Sequence, residues 1–467
     1  ELEVIEAAMV EEVALNTNGL DFSSYVSVGA SFTAGYTDGA LFIAAQESSF
    51  PNILAGKFST DFTQPLMSDN IGGIVDGFVV EEEPRLYFNG AGPARLPAVP
   101  TTQLGDVISG PFNNMGIPGA KSFHLGVPGY GALNPYFGRM ASSPGATVLG
   151  DALAQSPTFF TLSEIGGNDV LGYATSGGAG EDQTGNYNPA TYGGNDITDP
   201  NVFASVFSDM VAALTANGAK GVVANLPYVT SLPYFTTVPH NPIPLDAGTA
   251  AYVNSAYAGY NGGLLVAQSY SMIDAAEVAK RTINFVEGQN AVVIVDEDLT
   301  DLSALGIPSY RQATANDLLV LTSSSFIGTL ADPSNPASVN GVGVPLADQW
   351  VLTEVEQAKV KTATDAYNVT IEAVAAANPN LALVDFKALL IEASVGVQFD
   401  EYVMNTSLVM GGLVSLDGVH LTGRGYALMA NKILAAMDAE FGSNFTTATG
   451  GLAKAGDYTT NYAPSLR

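Results

Sequence analysis

Four short apolar runs restrict the fold more than any other feature of the sequence. They occupy residues 25–28, 158–162, 221–225 and 381–384. None shows the strict alternation of apolar and polar residues that marks a half-solvated strand. A near-continuous apolar run of this length, bounded by glycine, suits a strand buried on both faces, as in a parallel sheet covered by helices. The segment between the second and third runs carries a helical face. Phe203, Val206, Phe207, Met210 and Leu214 recur at i, i+3, i+4, i+7 and i+11, and Gly218 stops the helix. Strand, helix and strand at short range form the βαβ rhythm of an α/β protein.

The rest of the chain is read around that frame. Helices are expected over about 39–47, 250–267, 348–377, 386–393 and 423–440, with a further strand at 291–295. Residues 56–110 are rich in Gly, Pro and Asp without a clear period, and read as an insertion over the top of the domain. Residues 172–200 read as a long loop and 230–345 as a large insertion or cap. The expected organisation is an exposed lead-in over 1–20, one domain over 21–445 with insertions at about 56–110 and 230–345, and a small polar tail over 446–467. The chain has 467 residues, and no repeat of 20–50 residues is visible.

Composition removes several functional classes. There are 16 Lys+Arg against 46 Asp+Glu, a formal charge of −30. A phosphate backbone needs a basic face, so nucleic acid is excluded as a partner. A bare anionic lipid surface repels such a chain for the same reason. The 20 Tyr and 22 Phe also separate it from disordered acidic tails. With no cysteine, disulfides, thiolate nucleophiles and thiolate metal sites do not arise. No run approaches the roughly 18–20 apolar residues of a membrane helix.

Only three histidines are available as a general base: His124, His240 and His420. His420 ends the segment Asp417-Gly418-Val419-His420, just ahead of a helix. On a tight turn this spacing lets the Asp417 carboxylate reach the Nδ1 side of the imidazole and fix its tautomer. Ser31 is the candidate nucleophile. It lies in Val28-Gly29-Ala30-Ser31-Phe32, directly after the first strand, where open α/β sheets bind ligands. Two further segments, Asn113-Asn114-Met115-Gly116-Ile117-Pro118-Gly119 and Glu164-Ile165-Gly166-Gly167-Asn168-Asp169, also follow strands. They offer a glycine N–H and an asparagine amide, donor types suited to a tetrahedral oxyanion.

Together these four segments resemble the blocks of the SGNH (GDSL-type) hydrolases, a family of esterases and lipases. Gly29-Ala30-Ser31-Phe32 resembles the block that carries the nucleophile. Asn114 to Gly119 resembles the second block, Gly167-Asn168-Asp169 the third, and Asp417-Gly418-Val419-His420 the fourth. The order is the family's, though the blocks cover only about 30 residues. The resemblance implies a three-layer α/β/α sandwich with a central parallel sheet, flavodoxin-like, with large loop insertions. It implies Ser31, Asp417 and His420 as the catalytic set, and an oxyanion hole made by the Ser31 N–H, the Gly119 N–H and the Asn168 side chain. No cofactor and no metal are called for. The chain departs from the family pattern at Ala30, where the family has Asp, and at Phe32, where it has Leu. The run His124-Leu125-Gly126-Val127-Pro128-Gly129 is a second match to block two; Gly119 is preferred over Gly129 because Asn114 supplies the family's polar lead residue.

Other features have plainer readings. His124 and His240 are expected to be structural or surface residues. Asp296, Glu297, Asp298 and Asp301 read as a solvated acidic turn, because their spacing matches no calcium loop. The aromatic residues between 228 and 260 suit either an acyl pocket or ordinary packing. The functional expectation is a serine esterase or lipase acting on a small-molecule, lipid or acetylated-carbohydrate ester. The competing class is a non-catalytic cell-surface binding or accessory module on the same scaffold. A cysteine-free acidic chain fits an exported bacterial protein: periplasmic, secreted or at the cell surface. The acidic start around Glu1, Glu3, Glu6, Glu11 and Glu12 resembles the region after the lipidated cysteine of an outer-membrane lipoprotein, any signal peptide having been removed.

Overall fold

The structure, a computed structural model, describes residues 12–467; the first eleven residues of the expected lead-in lie outside the described residues. The chain divides into two compact units. One holds the residues up to Ile165, Ser205–Leu226 and Val369–Arg467; the other holds Gly166–Ala204 and Pro227–Asn368. Among the described residues, no helix is long and apolar enough to cross a membrane.

The first unit is built on a five-stranded, wholly parallel sheet. Its strands, in chain order, are Tyr25–Gly29, Asn114–Gly116, Phe159–Leu162, Lys220–Ala224 and Leu381–Val384. Their order across the sheet is 2-1-3-4-5, a doubly wound order in which the chain reverses direction beside the first strand. All four apolar runs are therefore strands; the first three are buried on both faces as their composition predicts, and the last, at the sheet edge, is buried except at Leu383. Alternate residues Tyr25, Phe159, Val222, Ala224, Ala382 and Val384 join one core. That core is completed by the helices Phe50–Phe58 and Gly423–Phe441 and by Ala393 of Phe386–Val395. Val26, Val28, Phe160, Leu162 and Val223 are equally buried but stand outside it, at the opposite pleat positions.

The helix Pro200–Thr215 buries Phe203, Phe207, Met210 and Leu214, the face its periodicity specifies. It stops before Gly218, whose φ is +81°. The segment 56–110 is not wholly irregular. A helix runs to Phe58, and two small antiparallel pairs follow, Ile74–Asp76 with Val79–Glu82 and Leu86–Phe88 with Pro93–Arg95. The polar tail is also anchored. The fully buried Arg85 guanidinium donates to the carbonyls of Tyr462 (3.3 Å), Ala463 (2.7 Å) and Leu466 (3.1 Å). Side chain to backbone bonds of this kind leave no periodic trace in a sequence.

The second unit combines the 23-residue helix Ala247–Ser269 with three short antiparallel pairs: Ile243–Leu245 with Gly288–Asn290, Val293–Val295 with Tyr310–Gln312, and Leu318–Leu319 with Val351–Leu352. Tyr257, Phe285, Val293, Ile294, Leu319 and Val351 share its core. The acidic turn at 296–301 is not wholly solvated, contrary to expectation. Asp296 is buried because Arg311, itself buried, reaches it and also forks onto Asp317 at 2.6 and 2.7 Å. The helix expected from residue 39 is confined to Ile43–Glu47, and the one expected from 348 begins at Glu354.

Candidate active site

The first strand ends at Gly29, and Ser31 opens a single helical turn, Ser31–Ala34. Two neighbours hold this turn. Asn114, on the adjacent strand, donates from Nδ2 to the Thr33 carbonyl at 2.9 Å. Glu164, just past the strand on the other side, accepts through Oε1 from the N–H groups of Ala30 (2.6 Å) and Thr33 (2.8 Å). A side chain at Gly29 would collide with Thr33 Oγ1, so the glycine is required by close packing. The 2-1-3 strand order accounts for this clamp: the strand that leads into Ser31 lies between the two that supply the supports.

His420 approaches from the turn before the helix Gly423–Phe441. Its Nε2 is 2.9 Å from Ser31 Oγ, and its Nδ1 is 2.8 Å from Asp417 Oδ2. Three residues separated by up to 389 positions thus form one hydrogen-bonded line. Asp417 is also the hub of its own turn. Its Oδ1 accepts from the N–H groups of Val419 and His420 (2.9 Å each) and from Ser415 Oγ (3.0 Å), and its Oδ2 from the Gly39 N–H (2.9 Å). Burial opposes ionisation here. The His420 ring and the donated N–H groups outweigh it and hold the Asp417 carboxyl well below the usual carboxylate range. The imidazole is flanked by Phe32 and Tyr36, with ring centroids 5.3 and 4.6 Å away.

Backbone donors lie on the same loops. The Ser31 and Gly119 N–H groups make no hydrogen bond among the described residues, whereas the Gly129 N–H is engaged by the Ala146 carbonyl at 3.1 Å. Gly119 has a φ of +76° and open space where a side chain would stand. Asn168 begins the helix Asn168–Thr175 and belongs to the second unit.

The other two histidines are placed elsewhere. His124 accepts the Lys121 N–H through Nδ1 (3.1 Å) and stacks on Tyr130 at 4.6 Å. Burial, with Lys121 second, pushes its pKa down to about 4, so the ring is neutral at ordinary pH. His240 lies in a loop of the second unit, its carbonyl accepting from the Val292 N–H.

Sequence reasoning passed over Glu164 and Asp38. Glu164 has a φ of +49°, uncommon for a side chain of its size, and burial pushes it up to about 7. Asp38 accepts the Leu416 N–H at 3.0 Å and donates its own N–H to Ser415 Oγ, stitching the nucleophile's loop to the histidine's. Burial, with the charge of Asp417 adding to it, pushes Asp38 up to about 7. The one sequence signal for Glu164 was Ala30, which has no side chain to accept the N–H groups of its own turn, so the acceptor comes from another segment. No protein-family model, curated protein or solved structure matches the chain.

Proposed function

We propose that the chain is a serine ester hydrolase that works through an acyl-enzyme on Ser31, with an SGNH-type three-layer sandwich as its scaffold. The observation that carries this reading is the Ser31–His420–Asp417 line at 2.9 and 2.8 Å. A serine hydroxyl is a poor nucleophile until a base in hydrogen-bond contact removes its proton, and that base works best when a third group fixes its tautomer. With Asp417 ionised and on Nδ1, the Nδ1 proton stays in place and Nε2 faces Ser31 as the acceptor.

In the proposed cycle, Ser31 Oγ attacks the ester carbonyl as its proton passes to His420 Nε2. The developing oxyanion takes the free N–H groups of Ser31 and Gly119. His420 then returns the proton to the departing alkoxide, and the alcohol leaves. Water, deprotonated by the same imidazole, attacks the acyl-enzyme. The tetrahedral intermediate collapses to release the acid, and the proton returns to Ser31 Oγ.

The acidic, cysteine-free composition supports an exported protein, and the substrate class proposed is a small-molecule, lipid or acetylated-sugar ester. A scaffold that only binds its ligand has no use for a buried carboxylate held ionised behind a histidine, and this favours the enzyme over the accessory module. Reaction of the purified protein with a fluorophosphonate probe tests the proposal. Rapid stoichiometric labelling, lost in Ser31→Ala together with turnover of p-nitrophenyl acetate, is expected. Unchanged hydrolysis in the variant, or a wild-type protein inert to the probe, refutes it.

A further inference from the structure

The second unit contains a cluster of carboxylates that no hydrogen bond explains. Glu297 follows the strand Val293–Val295, Asp348 opens the turn Asp348–Trp350, and Glu356 lies in the first turn of the helix Glu354–Ala377. One oxygen from each lies within 4.8 Å of the other two. Three acids so close repel one another unless something of opposite charge lies among them.

Two of these groups each carry a buried oxygen without a hydrogen-bond partner. Glu356 is fully buried. Its Oε2 accepts from the N–H (2.7 Å) and Oγ1 (2.8 Å) of Thr353, while its Oε1 is buried with no hydrogen-bond partner. Asp348 Oδ1 is likewise buried and unpartnered. Asp298 adds to the negative field at Asp348, and Lys359 opposes it, with its ammonium 6.0 Å over the Tyr173 ring.

The wall beside the cluster carries no side chain. Gly177 and Gly178 have φ of +67° and +85°, and a Cβ on Gly178 would run into Glu356 Oε1. The Gly178 N–H is already donated to the Tyr173 carbonyl, so it does not relieve the carboxylate. The Gly178 backbone is thus packed directly against the Glu356 carboxylate without offering it a donor.

We propose that Glu297, Asp348 and Glu356 bind one calcium ion, which fastens three separate segments of the second unit. The donors are all oxygen, the preference of a hard divalent cation. Calcium accepts irregular sets of six to eight oxygens at about 2.4 Å, whereas magnesium demands near-ideal octahedral geometry at about 2.1 Å and keeps most of its waters. The partly open side, where Glu297 is exposed, leaves room for the waters that complete six to eight ligands. The ion neutralises the mutual repulsion and supplies the partner that Glu356 Oε1 and Asp348 Oδ1 lack. This inference does not depend on the hydrolase reading, because none of its residues belongs to the Ser31–His420–Asp417 line.

Trp350, the chain's single tryptophan, is in the same turn as Asp348 and stacks on Phe326 at 4.5 Å. It is therefore a local reporter. The chelator-stripped full chain should bind one calcium ion by calorimetry, with a saturable change in Trp350 fluorescence and a higher melting temperature. Magnesium chloride should bind at least about tenfold more weakly. Glu356→Gln should abolish the response. Glu297→Gln, at an exposed position that does not endanger folding, should weaken calcium binding at least about tenfold. No binding by the wild type at about 10 mM calcium chloride, above the weakest sites of this kind, overturns the proposal. So does magnesium binding as tight as calcium binding, or a folded Glu297→Gln variant that binds calcium like the wild type. If the stripped wild type ignores calcium and Glu356→Gln simply melts higher, a shared proton holds the cluster and the proposal falls.

Discussion

Glu164 holds the nucleophile's turn at a cost that a single substitution can expose. Its Oε1 accepts from the Ala30 and Thr33 N–H groups, but its Oε2, Thr33 Oγ1 and Ser163 Oγ are buried without geometrically good partners. Burial outweighs the donated hydrogen bonds and raises the carboxyl from its ordinary 4.5 to about 7. A tenfold change in proton affinity is worth about 1.4 kcal/mol, so the folded chain favours the protonated acid by about 3 kcal/mol. The sign follows from linkage. A folded-state value above the unfolded one gives stability that is complete below about pH 4.5 and lost as pH rises through about 7. Glu164→Gln keeps an oxygen for both N–H groups, places an NH₂ beside the two orphan hydroxyls, and cannot ionise. The charge assistance of the Ala30 and Thr33 hydrogen bonds is already contained in that net raised value. The variant should therefore match the wild type near pH 4.5 and exceed it by about 3 kcal/mol at pH 8. Urea unfolding followed by far-ultraviolet circular dichroism measures this, since the lone tryptophan reports on the second unit. Taking the difference between variant and wild type at each pH cancels the other raised acids, Asp38, Glu82, Asp348 and Glu356. A stability difference that is flat with pH, or a variant weaker than the wild type at pH 8, refutes the reasoning.

Glu164→Ala removes the acceptor instead and leaves two buried N–H groups unpaired; it should cost about 2–4 kcal/mol at every pH and reduce ester turnover, readable from melts and p-nitrophenyl acetate assays. Asp417→Asn should lower kcat by about three to four orders of magnitude, as when a triad histidine is held in the wrong tautomer, with fluorophosphonate labelling slowed in proportion. Asp417 is held low in the folded chain, so its stabilisation is present above the ordinary carboxylate range and lost only under strongly acid conditions. Acid unfolding of the Asn variant should accordingly lack the wild type's steepest, most acidic phase. Gly29→Ala should destabilise the first unit by a few kcal/mol, because its methyl has nowhere to go beside Thr33; an unchanged melting temperature would contradict the packing argument.

What the sequence disclosed and what it hid divide along physical lines. The strands at 25, 159, 220 and 381 were legible because burial on both faces, broken only at Leu383 of the last, imposes a composition that needs no partner to be seen. The helix Pro200–Thr215 was legible because a one-sided core imposes a period. Ser31, Asp417 and His420 were legible because three histidines leave few bases to choose from, and because Asp417 and His420 are close enough in sequence to share a turn. Glu164 was hidden because its role depends on the strand order, which brings a residue 131 positions from Thr33 against the same turn. The Arg85 anchor, the Arg311 fork and the Glu297–Asp348–Glu356 cluster were hidden for the same reason. Each joins residues through side chains across distances that no local pattern records. The acidic stretch 296–301 was read as wholly solvated because nothing in its own spacing records the Arg311 side chain that buries Asp296. Only Glu297 of that stretch belongs to the cluster, and its partners come from a turn and a helix some 50 residues away.

The glycines of the first two blocks acquire a meaning distinct from catalysis. Gly29 and Gly116 are paired across the two neighbouring strands, and a side chain on either would strike the turn that carries Ser31: Thr33 Oγ1 from one, the Ala34 backbone N from the other. The turn is thus pressed against the sheet by two missing side chains and held there by Asn114 and Glu164. A four-residue helix has too few internal hydrogen bonds to fix its own position, so its geometry must be imposed from outside. Ser31 Oγ stays 2.9 Å from an imidazole anchored on a different segment because both sides of that contact are fixed independently: the serine by glycine packing and a buried acid, the histidine by the five hydrogen bonds that converge on Asp417. Loosening either support should therefore weaken the same contact, and a double variant of Gly29→Ala with Asp417→Asn should lose less activity than the product of the two single losses. Once one side has lost its alignment, the other has little left to align.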